Sequence, residues 1–400
     1  MKSVSTIGLG YIGLPTSALI ASNGMHVHGV DINESVVETI NRGEIHIVEP
    51  ELINVVKEVI DNGYLTASCS TIKSDIYIIV VPTPFKGDHE PDVSFVESAT
   101  KSVIPLLKEG DLYIIESTCP VGTTEKMRDL IFNLRPDLIG EIDIAYCPER
   151  VLPGNIMHEL VYNDRVIGGI DEKSTLSAKS FYKKFVKGKL HSTNARTAEM
   201  CKLVENSSRD VQIAFANELS ITCEDLKIDV WELIHLANMH PRVNILDPSC
   251  GVGGHCIAVD PYFLISAAPK TTKLTKAARE INTYKQAWCV EKILNTKLDF
   301  EKQNSRKPKI AFLGLTYKPN IDDLRESPAE YIAKNVIGHL SENEYYIVEP
   351  NISSHDEFTL SLYETAINEA DIISILVKHD EFMKLRSIEG KVILDFCGIN

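Results

Sequence analysis

Ser3-Val-Ser-Thr-Ile-Gly8-Leu-Gly10-Tyr-Ile-Gly13, and after it His26-Val-His-Gly-Val30-Asp31, decide how this chain folds. Residues 3–7 read as a short buried strand, the three glycines follow at once, and residues 14–22 carry a helical pattern. Residues 26–30 then form a second strand that ends on an acid. Strand, G-x-G-x-x-G, helix, strand and acid, in this order and at this separation, are what a dinucleotide site requires. The glycines allow the turn, the approach of a pyrophosphate and close helix-on-strand packing, and the helix N-terminus offers amides to phosphate. The turn Gly8, Gly10, Tyr11, Ile12 and Gly13 is therefore the expected cofactor cradle. Asp31 accepts hydrogen bonds from a ribose, which favours NAD over NADP because a 2'-phosphate would meet a carboxylate.

Outward from this unit, apolar runs at 76–81, 112–116 and 143–146 alternate with helical patterns at 51–60 and 96–107, the rhythm of a doubly wound α/β sheet. Three loops end such runs: Val81-Pro-Thr83-Pro-Phe-Lys86-Gly-Asp88, Glu116-Ser117-Thr118-Cys-Pro120-Val-Gly122-Thr, and Cys147-Pro-Glu149-Arg150-Val151-Leu-Pro153-Gly154. Ligands gather at the carboxyl ends of such strands. The bland alternatives are turn and cap chemistry for Thr83 and Thr118, and a surface ion pair for Glu149 and Arg150.

Residues 196–226 contain neither glycine nor proline and read as one long helix or two abutting ones. Its apolar residues Met200, Leu203, Val204, Val211, Ile213, Ala214, Phe215 and Leu219 occupy more than one face, which suits burial between domains or subunits. Lys202 and Asn206 are neighbours at i and i+4, with Asp210 a turn further on. Side by side they could donate to a developing oxyanion, or form no more than a solvated polar strip. After residues 231–240 and Pro241-Arg242-Val-Asn244 comes Gly251-Val-Gly253-Gly-His-Cys256-Ile-Ala-Val-Asp260. Its glycines let amides crowd a bound group, and Cys256 and Asp260 fall on one side of a short helix, a thiol nucleophile beside an acid that can hold water. A small buried cysteine in a tight loop is the plain alternative. Residues 274–298 complete a helical middle.

Residues 302–309 are polar and charged and read as a linker. Strands expected at 309–315, 345–348, 371–377 and 391–396 make a second α/β lobe, whose first loop has one glycine where the first lobe has three, so no second dinucleotide site is expected. Lys318 and Arg325 on that loop suit an anion such as a diphosphate. The division is thus two Rossmann-like lobes joined by a helical domain: 1–195, 196–301 and 302–400. A chain of 400 residues fits two or three domains. A formal charge of −15 disfavours nucleic acid and anionic membranes as partners. No apolar run reaches membrane-spanning length, the N-terminus goes straight into a strand, and nine cysteines without framework or metal-ligand spacing fit reduced thiols in a cytoplasm; no metal is expected.

The glycine fingerprint, V-P-T-P, E-S-T-C-P-V-G-T-T, C-P-E-R, K-x-x-x-N, G-V-G-G-H-C-I-A-V-D and K-P-N-I-D-D-L-R-E-S-P-A together resemble, in order and over essentially the whole chain, the nucleotide-sugar 6-dehydrogenases, the family of UDP-glucose and GDP-mannose dehydrogenases. Arg42-Gly-Glu-Ile-His46-Ile-Val-Glu49-Pro, Pro84-Phe-Lys-Gly-Asp-His-Glu-Pro91 and Arg150–Gly154 are most similar to the bacterial branch acting on UDP-N-acetyl-D-mannosamine. The resemblance implies a four-electron, NAD-dependent oxidation at sugar C6 that serves a surface polysaccharide. In it Cys256 carries a thiohemiacetal and then a thioester, Lys202 and Asn206 stabilise oxyanions, and Asp260, with Glu149 and Thr118, positions water. It further implies NAD contacts from Gly8, Gly10, Gly13, Asp31, Thr83, Thr118 and Arg325. The UDP-sugar falls to Glu149, Arg150, Val151, Lys202, Asn206, Arg242, Asn244, Gly253 and Lys318, with Arg242 reaching across from a second subunit of a homodimer. Two departures from the UDP-glucose enzymes, Pro153 in place of a second glutamate and Ala258-Val259 in place of P-K, count against UDP-glucose. Sister specificities for UDP-N-acetylglucosamine, UDP-glucose or GDP-mannose, a two-electron hydroxyacid dehydrogenase of the 6-phosphogluconate type, and an inactive nucleotide-binding scaffold remain the alternatives. A weaker expectation is redox control through pairing of Cys256 with Cys119 or Cys250.

Overall fold

The computed structural model describes residues 2–47, 49, 51–87, 89–151, 154–254, 256–385 and 388–399. By packing, the chain divides into two compact units, Met1–Glu205 with Tyr262–Ala267, and Asn206–Pro261 with Ala268–Asn400.

Along the first unit run β1 (Val4–Ile7), β2 (Val27–Val30), β3 (Leu65–Ser68) and β4 (Ile76–Ile79), a hairpin of β5 (Phe85–Lys86) and β6 (Glu90–Pro91), then β7 (Leu112–Ile115), β8 (Asp143–Tyr146), β9 (Arg165–Gly169) and β10 (Leu190–Asn194). Eight of them form one sheet in the order β10-β9-β8-β7-β4-β1-β2-β3. All its neighbours are parallel except β8 and β9, which run antiparallel. Along β4, Ile76 and Ile78 enter one apolar layer while Tyr77 and Ile79 enter the other. A sheet covered on both faces demands strands that are apolar throughout, which is why these runs stand out in the sequence. The winding reverses at β1, and the crevice this opens lies at the carboxyl end of β1, where the glycine turn begins.

In the second unit β11 (Ile310–Leu313), β12 (Tyr345–Val348), β13 (Ile372–Ile375) and β14 (Val392–Asp395) form a parallel sheet in the order β12-β11-β13-β14. The helix Lys273–Asn304 packs Cys289, Ile293 and Phe300 into the same apolar layer as Ile310 and Phe312. It runs past residue 301, so the polar stretch read as a linker from 302 is helical as far as Asn304. Beyond residue 206, the long helix Ala195–Leu226 faces it along a buried polar seam. Arg279 donates to Asp210 at 2.6 Å, Asn282 donates to the Asp210 carboxylate, Asn217 donates to Asn282, and Lys285 donates to Ser220. Asp210 is therefore a buried structural acid and no part of an exposed strip. Buried polar contacts of this kind fix the register of two helices where apolar packing would let them slide.

The two lobes repeat one turn. Gly8 (φ +99°) donates to Val30 O at 2.8 Å, and Gly314 (φ +94°) donates to Val348 O at 2.8 Å. Each is followed by amides that bond the acid ending the next strand, Leu9 to Asp31 and Leu315 with Thr316 to Glu349. In the second lobe that acid is filled from within, because His379 Nε2 lies 3.0 Å from Glu349 and both side chains are inaccessible. Burial alone would raise the Glu349 carboxyl, but the His379 imidazole and the amides of Leu315 and Asn351 outweigh it and hold the group at about 2. A depressed carboxyl lends stability above its ordinary value near 4.5, lost as pH falls toward 2. Glu349→Gln is expected to lose about 2 kcal/mol at pH 7. Urea denaturation should show the deficit shrinking as pH drops below 4.5.

Among the described residues no helix is long and apolar enough to cross a membrane.

Candidate active site

The glycine turn has the shape its spacing predicts. A Cβ on Gly8 would meet Val80 O at 2.1 Å, and one on Gly13 would meet Gly8 O at 1.8 Å, so both are required by close backbone approach. At Gly10 a Cβ would meet nothing within 4 Å, which leaves open space over the turn. Tyr11 is exposed and Ile12 half-buried directly before the helix Gly13–Ser22. Asp31 accepts from Leu9 N at 3.0 Å through one oxygen and from Asn33 N at 3.0 Å through the other. Each oxygen keeps a second lone pair for a ribose hydroxyl. These features fit an adenine dinucleotide, and bound NAD would supply the hydride acceptor. Burial lowers the affinity of the neighbouring His46 for a proton, against the pull of Asp31.

Thr83 and Thr118 are half-buried in loops that neighbouring groups hold in place. Ser117 Oγ accepts from Val81 N at 2.9 Å and donates to Val81 O at 2.8 Å, joining the two loops. Glu199, fully buried on the long helix, accepts from Gly122 N at 2.6 Å and from Thr124 N and Oγ1 at 2.7 Å, so it caps the helix Thr123–Leu134. Burial raises its carboxyl, opposed by the Thr124 hydroxyl. Glu199 is announced by no motif, since it acts on a partner distant in sequence.

Glu149 forms no surface ion pair with Arg150. It is buried, its Oε2 lies 2.8 Å from the Arg165 guanidinium, and its Oε1 accepts from Arg150 N at 2.6 Å. Arg150 instead reaches Glu205 at 2.6 Å and the Asp164 carbonyl. Arg165 also lies 3.6 Å from Glu116, whose Oε1 accepts from Tyr182 OH at 2.5 Å. Burial foremost, and the nearby Glu149, raise the Glu116 carboxyl to about 7 against the attraction of Arg165. Lys202 Nζ donates to Glu149 O at 2.8 Å, which ties the long helix to this loop. Glu49 accepts from Gly154 N and Ile156 N, both at 2.9 Å, so two sequence segments read as branch markers meet. Val151 is half-buried beside them, whereas Leu152 and Pro153, like Asp88 and His255, lie outside the described residues.

In the second unit Asn206 Nδ2 donates to Asp260 Oδ2 at 2.5 Å, and Asp260 is only 2% exposed. Asp260 N donates to Cys256 O at 2.8 Å, so thiol and carboxylate are one helical turn apart, although the helix proper spans Asp260–Ala267. Cys256 is half-buried. The glycines before it are also required by close packing. A Cβ on Gly253 would meet Glu326 O and Tyr317 Cβ at 2.6 Å, one on Gly254 would strike the Tyr317 ring, and Gly254 N donates to Arg325 O at 2.9 Å. The cysteine turn is thereby moulded onto the loop that carries Lys318 and Arg325. Lys318 is exposed, and Arg325 makes a bidentate contact with Asp323 at 2.6 and 3.0 Å. Arg242 and Asn244 are exposed on the loop after the helix Val230–Ala237.

The expected disulfide partners are poorly suited to oxidation. Cys119 is fully buried and its thiol is pushed well above the ordinary range by burial. Cys250 is 3% exposed, and its thiol is raised by its contact with Cys289 and by burial.

The UDP-glucose/GDP-mannose dehydrogenase family matches the chain in all three of its parts: the NAD binding domain over residues 2–186, the central domain over 196–284 and the UDP binding domain over 311–400. UDP-N-acetyl-D-mannosamine dehydrogenase of Escherichia coli (strain K12) is 50% identical, over 99% of each chain. NDP-N-acetyl-D-galactosaminuronic acid dehydrogenase of Ralstonia nicotianae is 46% identical, over all of this chain and 96% of its own. Among solved structures, the UDP-D-ManNAc dehydrogenase of Pyrococcus horikoshii superposes with a TM-score of 0.89 at 41% identity, covering 100% of this chain and 96% of that one. The dinucleotide turn, the cysteine turn and these matches together show that the chain is a member of the UDP-glucose/GDP-mannose dehydrogenase family, an NAD-dependent oxidoreductase with two Rossmann-like lobes and a helical middle.

Proposed function

We propose that this dehydrogenase works in the cytoplasm, oxidising UDP-N-acetyl-D-mannosamine at C6 to the uronate for a bacterial surface polysaccharide. The observation that carries the substrate is full-length similarity to the Escherichia coli enzyme of that name. NAD, held at the glycine turn and Asp31, would supply the acceptor for the hydride of each oxidation.

The remaining chemistry belongs to the chain. The Cys256 thiolate adds to the C6 aldehyde, forming a C–S bond and a thiohemiacetal, which keeps the reactive aldehyde from escaping. Loss of hydride and a proton leaves a thioester, and water then releases the carboxylate and restores the thiol. Asp260, bonded to Asn206 and one turn beyond Cys256, holds that water; Glu149 and Thr118 assist. Lys202 and Asn206 donate to the oxyanions, Lys202 also taking part in the first proton transfer. Gly8, Gly10, Tyr11, Ile12, Gly13, Asp31, Thr83, Thr118 and Arg325 bind NAD. Arg150, Val151, Arg242, Asn244, Gly253 and Lys318 bind the UDP-sugar. The work is divided among a cofactor domain (1–195), a helical domain (196–301) and a UDP-sugar domain (302–400). A second copy of the chain covers Phe215, Leu226, Leu236, Leu274 and Tyr284 of the helical middle, each 51–68% exposed in a single chain.

Purified protein given UDP-N-acetyl-D-mannosamine and NAD should form two NADH for each uronate. One NADH with free aldehyde would refute the mechanism. Higher kcat/KM on the epimeric N-acetylgalactosamine or N-acetylglucosamine nucleotides, UDP-glucose or GDP-mannose would refute the substrate; the galacto reading is favoured next by the Ralstonia relative.

A further inference from the structure

We propose that Glu116 is a positioning residue that acts through Arg165, its charge deciding how one guanidinium is shared between two buried carboxylates and so how firmly Glu149 is held. This rests on the reading that Glu149 serves the water step.

The groups that face one another come from four places in the first unit: Glu116 at the end of β7, Cys147 and Glu149 after β8, Arg165 on β9, and Tyr182 ending the helix Glu172–Tyr182. The side chain of Glu116 is inaccessible and that of Arg165 is 5% exposed. Arg165 lies 2.8 Å from Glu149 but 3.6 Å from Glu116, 3.8 Å from Cys147 Sγ, and 5.0 Å above the Tyr182 ring. Two carboxylates thus share one cation. With both ionised the cluster holds a net negative charge away from water, which is unfavourable. Glu116 Oε2 is buried with no hydrogen-bond partner among the described residues, and an unpaired neutral hydroxyl is far less costly there than an unpaired ionised oxygen. The geometry therefore matches a neutral Glu116 with Arg165 committed to Glu149.

Ionisation of Glu116 draws Arg165 toward it and slackens its hold on Glu149, leaving that carboxylate able to orient water. The peptide carbonyl of Glu149 accepts from Lys202, so the same shift is felt on the long helix. The transition belongs to Glu116, whose carboxyl burial raises to about 7, so it falls in the neutral range.

The test uses the intact enzyme with Glu116→Gln, which keeps the shape and an acceptor for Tyr182. A carboxyl raised in the folded state costs stability as pH climbs from its unfolded value toward its folded one. The parent's Tm should therefore decline between about pH 5 and 7 more steeply than that of the variant. In turnover, the parent's kcat should rise through neutrality while Glu116→Gln stays level, matching the parent near pH 6 and falling about threefold to tenfold below it near pH 8.5, with KM for both substrates within about twofold. Tyr182→Phe removes a hydrogen bond to the ionised form and should move the parent's limb toward alkali by about half a unit to one unit. An unchanged Tm slope in Glu116→Gln overturns the titration. A changed slope with an unchanged rate profile overturns the link to Glu149. Full turnover by Glu149→Gln sinks the reading beneath the proposal, and is distinguishable because the Tm slope still reports on Glu116.

Discussion

Cys256→Ala is expected to make no uronate. With the sulfur gone the aldehyde has no anchor, so NADH should fall from two to at most one per sugar, with carboxylate formation down on the order of a thousandfold or more. A scavenger such as hydroxylamine should then capture free aldehyde. Cys256→Ser tests the same point more finely, because a hydroxyl can add to the aldehyde but leaves poorly as an alkoxide. It should slow release of the acid more than it slows the first NADH. One NADH per sugar in the parent, with turnover unchanged in the alanine variant, would instead place the enzyme with the two-electron hydroxyacid dehydrogenases, which need no thiol. Tm and NAD affinity should stay near the parent's, since Cys256 is only half-buried and lies far in sequence from the dinucleotide turn.

Arg165→Met should be the most damaging single change to the first unit's stability. It keeps most of the side chain's bulk but strands Glu116 and Glu149, both under 10% exposed, without a cation. Breaking a buried pair in this way is worth about 3–5 kcal/mol. The loss should be greatest at pH 7 and above, and partly recovered near pH 5, where protons can replace the missing charge. Denaturation of parent and variant at both pH values checks the size and the sign. A uniform loss across pH would mean that packing, and not charge, is what Arg165 supplies.

How far these groups can be read from the chain depends on whether their partners are close in sequence. The dinucleotide turn is legible because one local segment must make a turn, admit a phosphate and begin a helix, and only glycines at fixed spacing do all three. The i+4 relation of Cys256 to Asp260 and of Lys202 to Asn206 is legible for the same reason. Arg165 is not. It stands in a strand, 16 residues beyond Glu149 and 49 beyond Glu116, where a charged residue reads as an edge position. Strand β3 escaped because Leu-Thr-Ala-Ser alternates buried and open positions at a sheet edge, in place of the continuous apolar run that marks β4 or β7. β9 and β10 escaped because they extend the doubly wound sheet antiparallel to β8, with β10 half-exposed. Gly253 and Gly254 are also required by the Tyr317 side chain some sixty residues later, which no local rule connects to them.

In the proposed mechanism the sugar is bonded to Cys256 between the two oxidations. Asp260→Asn should slow hydrolysis while sparing the thiol, so the thioester should accumulate. Intact-mass and peptide analysis of this variant, quenched in acid after mixing with UDP-N-acetyl-D-mannosamine and NAD, should find one sugar-nucleotide acyl group per chain on the peptide containing Cys256, removable by hydroxylamine. Uronate formed with no adduct on that peptide, or an adduct on any other cysteine, would contradict it.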